Sequence, residues 1–488
     1  MSVVKIGRKG LFAFFCAFSL VVVTGCEDDD TPADTTPPVI SNLSHADQEE
    51  VIGSRTITFS VDVTDDVGAT VSITHNGNPV TVTPSGDTYS ASITLEDRDA
   101  NDIEVSASDA DNTTTETVTL KYPFLAFTDG QAASVVIGQI NLDSTNTHPN
   151  KGNIFTPSID TLSRPKDVEI QDGRLYVADS ENNRISVFNT LPISNNTAAN
   201  FVIGQDSVST SDSGTDNNQL RGPLALEAGD GHLYISSIGR IHYWTVSPVS
   251  GNDPANFVIG KSDFVLGNLL NCSQTEITFG VGGLSYFGGK IIAANTDGHR
   301  ILIWNSIPIA NGEAANMVLG QNGYDSCLFN VSETAIPTDK SMNKPTGVWS
   351  DGARLVVADT ENNRVLIWNT FPTTNYQAAD LVLGQLTFTT ANAPSAMNEK
   401  EILQPNGVYS NGNQLFVSTG ADRILIWDSW PTENEQAANR VLGFSSMTST
   451  TPLINGAGLS NPGGMDTYED KLIIADTDNN RVLIFQAQ

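Results

Sequence analysis

From Val39 to about Tyr122 the chain alternates apolar and polar residues in short runs, as in Thr56-Ile57-Thr58-Phe59-Ser60-Val61-Asp62-Val63 and Tyr89-Ser90-Ala91-Ser92-Ile93-Thr94-Leu95. A period of two is the mark of strands with one buried face. Turn formers separate the runs at Asp65-Asp66-Val67-Gly68, Asn76-Gly77-Asn78-Pro79 and Ser85-Gly86-Asp87, so residues 39–122 predict a small β-sandwich. Upstream the pattern differs. Leu11 to Val23 is one apolar run of 13 residues behind Lys5, Arg8 and Lys9. That is shorter than the roughly 20 residues that span a bilayer and suits a secretory signal.

Beyond residue 131 the chain repeats on a larger scale. ADSENNRISVFN (178–189), ADTENNRVLIWN (358–369) and ADTDNNRVLIF (475–485) are copies of one segment. ANTDGHRILIWN (294–305), STGADRILIWD (418–428) and ISSIGRIHYW (235–244) are weaker copies. Their aligned arginines, Arg184, Arg240, Arg300, Arg364, Arg423 and Arg481, stand 56, 60, 64, 59 and 58 residues apart. Two further marks recur: an apolar strand ending in Gly-Gln, and Pro-x-Gly/Asp-Val at Pro165, Pro345, Pro405 and Pro462, with Pro223 a looser match. Each unit therefore holds about four short strands, and six such units predict an all-β six-bladed β-propeller over 131–488. The last unit stops at Gln488 without its Gly-Gln strand, while an orphan copy, QAASVVIGQ (131–139), precedes the first. Joined, they complete one blade, so an N-terminal strand is expected to close the ring and cover a sheet edge.

The repeat resembles NHL-repeat propellers, although its units are longer and the second and third lack the full turn motif. Val23-Thr24-Gly25-Cys26 resembles the lipobox of bacterial lipoproteins, which implies a signal peptide over 1–25 and lipidation of Cys26. Residues 26–38 continue as an acidic, Pro/Thr-rich stretch that cannot collapse and reads as an extended tether. It is similar to the acidic tracts of some surface-exported lipoproteins of Gram-negative bacteria. TTPPVI and VSASDADNTTTETVTL resemble bacterial Ig-like stalk domains over 39–122. These resemblances imply a cell-envelope lipoprotein at the outer membrane or cell surface, touching the membrane through its lipid alone, with a monomeric propeller head.

Composition narrows the partners. Of 488 residues, 25 are basic and 56 acidic, leaving a net charge of -31, which repels phosphate backbones and argues against nucleic acid. Cys272 and Cys327 fall in the long loops of consecutive units and are expected to form a disulfide outside the cytoplasm. Catalysis finds little support. The histidines beyond the leader (45, 75, 148, 232, 242 and 299) are not paired at metal-ligand spacing, and no G-x-S-x-G, H-E-x-x-H or P-loop occurs.

The aligned arginines, with Asp179, Asp359 and Asp476 five positions earlier, recur around the ring and so read as turn-pinning structural groups. His299 replaces an Asn in that turn and reads the same way. Copies differ at the position after the apolar residue of each innermost strand: Glu169, Glu227, Ser285, Trp349, Tyr409 and Asp466. In a closed ring Asp466, Glu169 and Glu227 fall on adjacent blades, opposite Trp349 and Tyr409. Such a set could hold Ca²⁺ or a sugar, or could point between blades toward backbone donors. In the sandwich, Asp97, Asp99, Asn101 and Asp102 form a weaker candidate for Ca²⁺, lacking the Gly and Glu of the full loop. The favoured function is a membrane-anchored extracytoplasmic binding or scaffold protein for an envelope protein or glycan. A metal-dependent hydrolase, lactonase or lyase in the channel is the alternative.

Overall fold

The computed structural model describes residues 35–488 apart from 50, 52–55, 96–100, 110, 123, 144–156, 252, 266–268 and 333–335. The expected signal peptide, Cys26, most of the tether, Asp97 and Asp99 lie outside the described residues. The chain is all-β in strand content and divides into two compact units, Met1–Phe124 and Leu125–Gln488. Among the described residues no helix is long and apolar enough to cross a membrane.

In the first unit two four-stranded antiparallel sheets share one core. One runs Val39–Ser41, Thr56–Thr64, Thr88–Thr94, Val82–Ser85, and the other Asn78–Pro79, Thr70–His75, Asn101–Ser108, Thr113–Leu120. Strand alternation does the sorting. Phe59, Val61, Ile73, Ile93, Ile103 and Val105 turn inward, while their neighbours keep contact with solvent.

The second unit is propeller-like, with six four-stranded antiparallel sheets among the described residues. Five are contiguous in sequence, the first being Pro165–Gln171, Arg174–Asp179, Arg184–Phe188 and Phe201–Ile203. The innermost strands of successive sheets are neighbours, and Pro462–Tyr468 of the last lies beside Pro165–Gln171 of the first. That last sheet takes its fourth strand from the other end of the chain: Val135–Ile137 pairs with Arg481–Gln486, with Val136 opposite Leu483.

Each repeated residue now has a physical reason. Arg184, Arg364 and Arg481 are buried and donate through Nε to Asp179, Asp359 and Asp476 at 2.7, 2.7 and 2.6 Å. Their other nitrogens tie down loop carbonyls, as Arg364 does those of Thr338 and Ser341, both at 2.9 Å. In the third sheet Asn295 replaces the Asp and accepts from Arg300 at 3.2 Å. In the second and fifth sheets Ser237 and Thr419 face Arg240 and Arg423. There the Nε atoms of both arginines have no hydrogen-bond partner. The Gly-Gln mark covaries with this turn. Gln205, Gln321 and Gln385 donate to the carbonyls of the left-handed residues Asn183, His299 and Asn363. Gln139, from the closing strand, does the same for Asn480 at 3.2 Å. The second and fifth sheets, with altered turns, carry Lys261 and Phe444 instead of Gln.

The same left-handed residues also reach the next sheet. Asn183, Asn363 and Asn480 accept from the amides of Gly222, Gln404 and Arg164 at 2.8, 3.0 and 2.8 Å. His299 uses Nδ1 in this way on the Lys344 amide at 3.1 Å. The Gly of Pro-x-Gly-Val marks where inner strands meet backbone to backbone. A Cβ on Gly347 would stand 2.7 Å from the Asn406 carbonyl oxygen, and one on Gly407 2.8 Å from that of Gly463.

Cys272 and Cys327, 55 positions apart in sequence, are joined as a disulfide with Cα atoms 6.1 Å apart. Replacing both by Ser is expected to lower stability by about 2–4 kcal/mol through the freer unfolded chain. Denaturant titration of wild type and double variant checks this, and coincident curves would contradict it.

Candidate functional site

Residues from all six innermost strands line a cavity of about 400 Å³ on the axis of the ring. Glu169, Glu227, Ser285, Trp349, Tyr409 and Asp466 all face it. Four of them also clasp the next strand. Asp466 Oδ2 accepts from the Ile170 amide at 2.8 Å, and its Oδ1 from the Thr467 amide at 2.6 Å. Glu169 accepts from the Ala228 amide at 3.3 Å. Ser285 Oγ accepts from the Ser350 amide at 3.1 Å. Tyr409 shares a 2.5 Å hydrogen bond with the Thr467 hydroxyl. These amides belong to strands that meet edge-on, where the ladder of one sheet leaves donors unpaired. Thus the same side chains both line the cavity and fasten the ring.

A fourth carboxylate, Asp167, completes the acidic wall. Its oxygens accept from the amides of Val168 at 2.9 Å and Leu226 at 2.8 Å. It stands where Gly347, Gly407 and Gly464 stand in other repeats, and it packs where a Cβ on Gly464 would be, 1.7 Å from its Oδ1. The departure from the repeat was the available signal for it.

The four carboxylates are half-buried and enclosed by the ring. Burial pushes Asp167 up to about 7 against the pull of its two amide donors, with the Asp466 charge adding to the rise. Burial likewise lifts Asp466 to about 6. Glu169 is held well above the usual carboxylate range by burial and then by Glu227, Asp466 and Asp167. Glu227 is held there by burial, with Asp466 and Asp167 contributing. Groups whose folded-state values are raised give stability that is full at low pH and lost as pH climbs through those values. The thermal midpoint of the ligand-free protein is therefore expected to fall between pH 5 and pH 8, and Glu169→Gln to flatten that fall. A midpoint that rises over this range in the wild type would contradict the raised values.

The opposite side is aromatic. Trp349, Tyr409 and Tyr286 line it. Trp349 lies 5.9 Å from Trp430, and the Arg354 guanidinium sits 3.8 Å from the centre of the Trp430 ring and 5.7 Å from that of Trp349. Asp351 holds Arg354 in place at 2.5 Å. Arg354 and Trp430 stack behind Trp349 without lining the cavity, and neither they nor the cavity-lining Tyr286 carry a sequence mark, because they come from turns and strands of different repeats.

The described half of the Asp97–Asp102 candidate does not converge. Asn101 and Asp102 are consecutive in the strand Asn101–Ser108 and point to opposite faces. Asn101 is buried against the His75 ring nitrogen at 3.0 Å, while Asp102 accepts from the Thr119 hydroxyl at 2.8 Å on the exposed face. Among the described residues, no three His, Cys, Asp or Glu side chains are grouped so as to hold a metal ion.

A family model described as NHL repeat matches residues 162–188, which span the first three strands of the first sheet. An auxiliary nutrient binding protein from Bacteroides ovatus is similar in structure at 10% identity, over 92% of this chain and 98% of that one, with a TM-score of 0.45. Another, from Bacteroides thetaiotaomicron, is 12% identical over 93% and 99%, with a TM-score of 0.42. A provisionally described phosphatase from Bacteroides thetaiotaomicron is 9% identical over 93% and 98%, with a TM-score of 0.43. No curated protein matches the chain by sequence.

Proposed function

We propose that this chain is a membrane-anchored, extracytoplasmic binding protein whose ligand enters the axial cavity of a six-bladed β-propeller. Cys26 carries the lipid, residues 26–38 form the tether, and an Ig-like sandwich over 39–122 serves as the stalk. The partner is a protein or glycan of the cell envelope. The observation that carries the reading is the cavity itself. Its volume of about 400 Å³ is of the size that takes a small ligand or one residue of a larger one. Its walls differ chemically, one of carboxylates and one of aromatic rings. The disulfide between Cys272 and Cys327 supports an oxidising compartment. Binding is favoured over metal-dependent turnover because Asp167 and Asp466 are each held through both oxygens by backbone amides of the inner strands, so neither can swing toward a metal or a substrate proton without unfastening them.

A thermal-shift screen of the mature chain against envelope glycans and peptides, followed by Trp349→Leu, tests this. A ligand that raises the midpoint in the wild type, loses at least tenfold in affinity in the variant and is recovered chemically unchanged fits the proposal. A ligand indifferent to Trp349, or one recovered as hydrolysis or elimination product, contradicts it.

A further inference from the structure

Asp167, Glu169, Glu227 and Asp466 come from three consecutive sheets and face one cavity, yet none forms an ion pair among the described residues. Besides these four, the titratable groups lining the cavity are Lys166, Tyr286, Asp297 and Tyr409. Lys166 is the one cation among them, and the charges acting on it are Arg164, Asp478 and Glu181 rather than the four acids. An acidic wall without a counter-charge, in a molecule of net charge -31, must take up protons or a cation, because like charges this close repel strongly at low effective dielectric.

The cavity says which cation fits. No three of its acids are grouped to hold a metal ion. The space is many times larger than one ion. Across it stand the rings of Trp349 and Tyr409, whose faces attract positive charge. An organic cation uses both walls at once: N–H donors reach the carboxylate lone pairs that the backbone amides leave free, and the carbon skeleton lies against the rings. We propose that the cavity selects a ligand bearing an ammonium or guanidinium group. This rests on the reading of the cavity as the binding site and names the chemistry of what binds there.

The probes are phenethylamine, its neutral counterpart 2-phenylethanol, the neutral disaccharide cellobiose, and CaCl₂, titrated calorimetrically into the mature chain at pH 5.5 and pH 8. Phenethylamine is expected to bind at least tenfold more tightly than 2-phenylethanol. Its affinity should rise at least tenfold from pH 5.5 to pH 8 as the acids lose their protons, since the amine stays charged throughout. Glu227→Gln keeps the size and shape of the side chain and removes only its charge, and it should weaken phenethylamine at least tenfold while leaving 2-phenylethanol unchanged. Trp349→Leu should weaken both. Cellobiose binding that depends on Trp349 but not on Glu227 or pH would overturn the cationic ligand and leave the cavity reading standing. Amine binding indifferent to both residues would overturn both. Failure of phenethylamine to bind, or its displacement by millimolar CaCl₂, overturns the inference as well.

Discussion

Deleting residues 131–139 is expected to lower the thermal midpoint of the second unit by about 10 °C or more, or to abolish its cooperative transition. The deleted stretch is the fourth strand of the sixth sheet. Val135, Val136 and Ile137 are buried there, and removing three such side chains forfeits about 5–9 kcal/mol of apolar burial. That is comparable with the roughly 5–15 kcal/mol that keeps a typical domain folded. The ladder to Arg481–Gln486 goes too, with the Gln131 donation to the Gln486 carbonyl at 2.7 Å and the Gln139 bond to the last turn. An open array of sheets would lose only one edge strand and barely move. Calorimetry of the two proteins separates these outcomes. A finer version, Val136→Asp, places an unpaired charge in the same seam and should act in the same direction.

The second large effect concerns the turns. Asp359→Ala is expected to cost about 3–5 kcal/mol, because it strands a buried guanidinium. Both Asp359 and Arg364 have fully buried side chains, 2.7 Å apart. The carboxylate also accepts from the Asn343 amide at 2.6 Å and the Asn362 side chain at 2.8 Å. Asp359→Asn should cost visibly less, because Asn295 already plays this part opposite Arg300 in the third sheet. Denaturant midpoints of the two variants provide the measurement. Equal losses would show that charge pairing, rather than an acceptor at that point, dominates. No loss in Asp359→Ala would contradict the pinning role altogether.

Much of the second unit was legible because its repeat is enforced by groups that cannot be exchanged cheaply. The buried Arg needs an acceptor, the left-handed turn residue needs Asn or its like, and Gly is required where inner strands touch. Each leaves a letter in every copy that keeps the arrangement, and the orphan segment 131–139 could be matched to the last copy on those letters alone. In the first unit Thr56–Thr64 and Thr88–Thr94 follow from alternation, whereas Asn78–Pro79, whose residues read as a turn, pairs as a short strand with Thr70–His75. Within the cavity, the divergent positions Glu169, Glu227, Trp349, Tyr409 and Asp466 could be picked out because they break the repeat. Their hydrogen bonds could not, since the Ile170 and Ala228 amides lie on neighbouring sheets and a backbone donor has no signature in sequence. Asp167 carries no separate mark, because it sits inside the recurring Pro-x-Gly/Asp-Val segment. Arg354 and Trp430 meet only once two sheets are side by side. Asn101 and Asp102 mislead for the opposite reason: adjacent oxygen-bearing residues look like a cluster until a strand turns them to opposite faces.

The central claim is that the axial cavity, and not the long loops between sheets, receives the ligand. An experimental structure of the mature chain with a bound ligand from the screen measures this most directly. The account predicts ligand density between Glu227 and Trp349, with the inner strands still fastened by Asp466 and Glu169. Density confined to the loops between sheets, with the cavity filled by water alone, would contradict it.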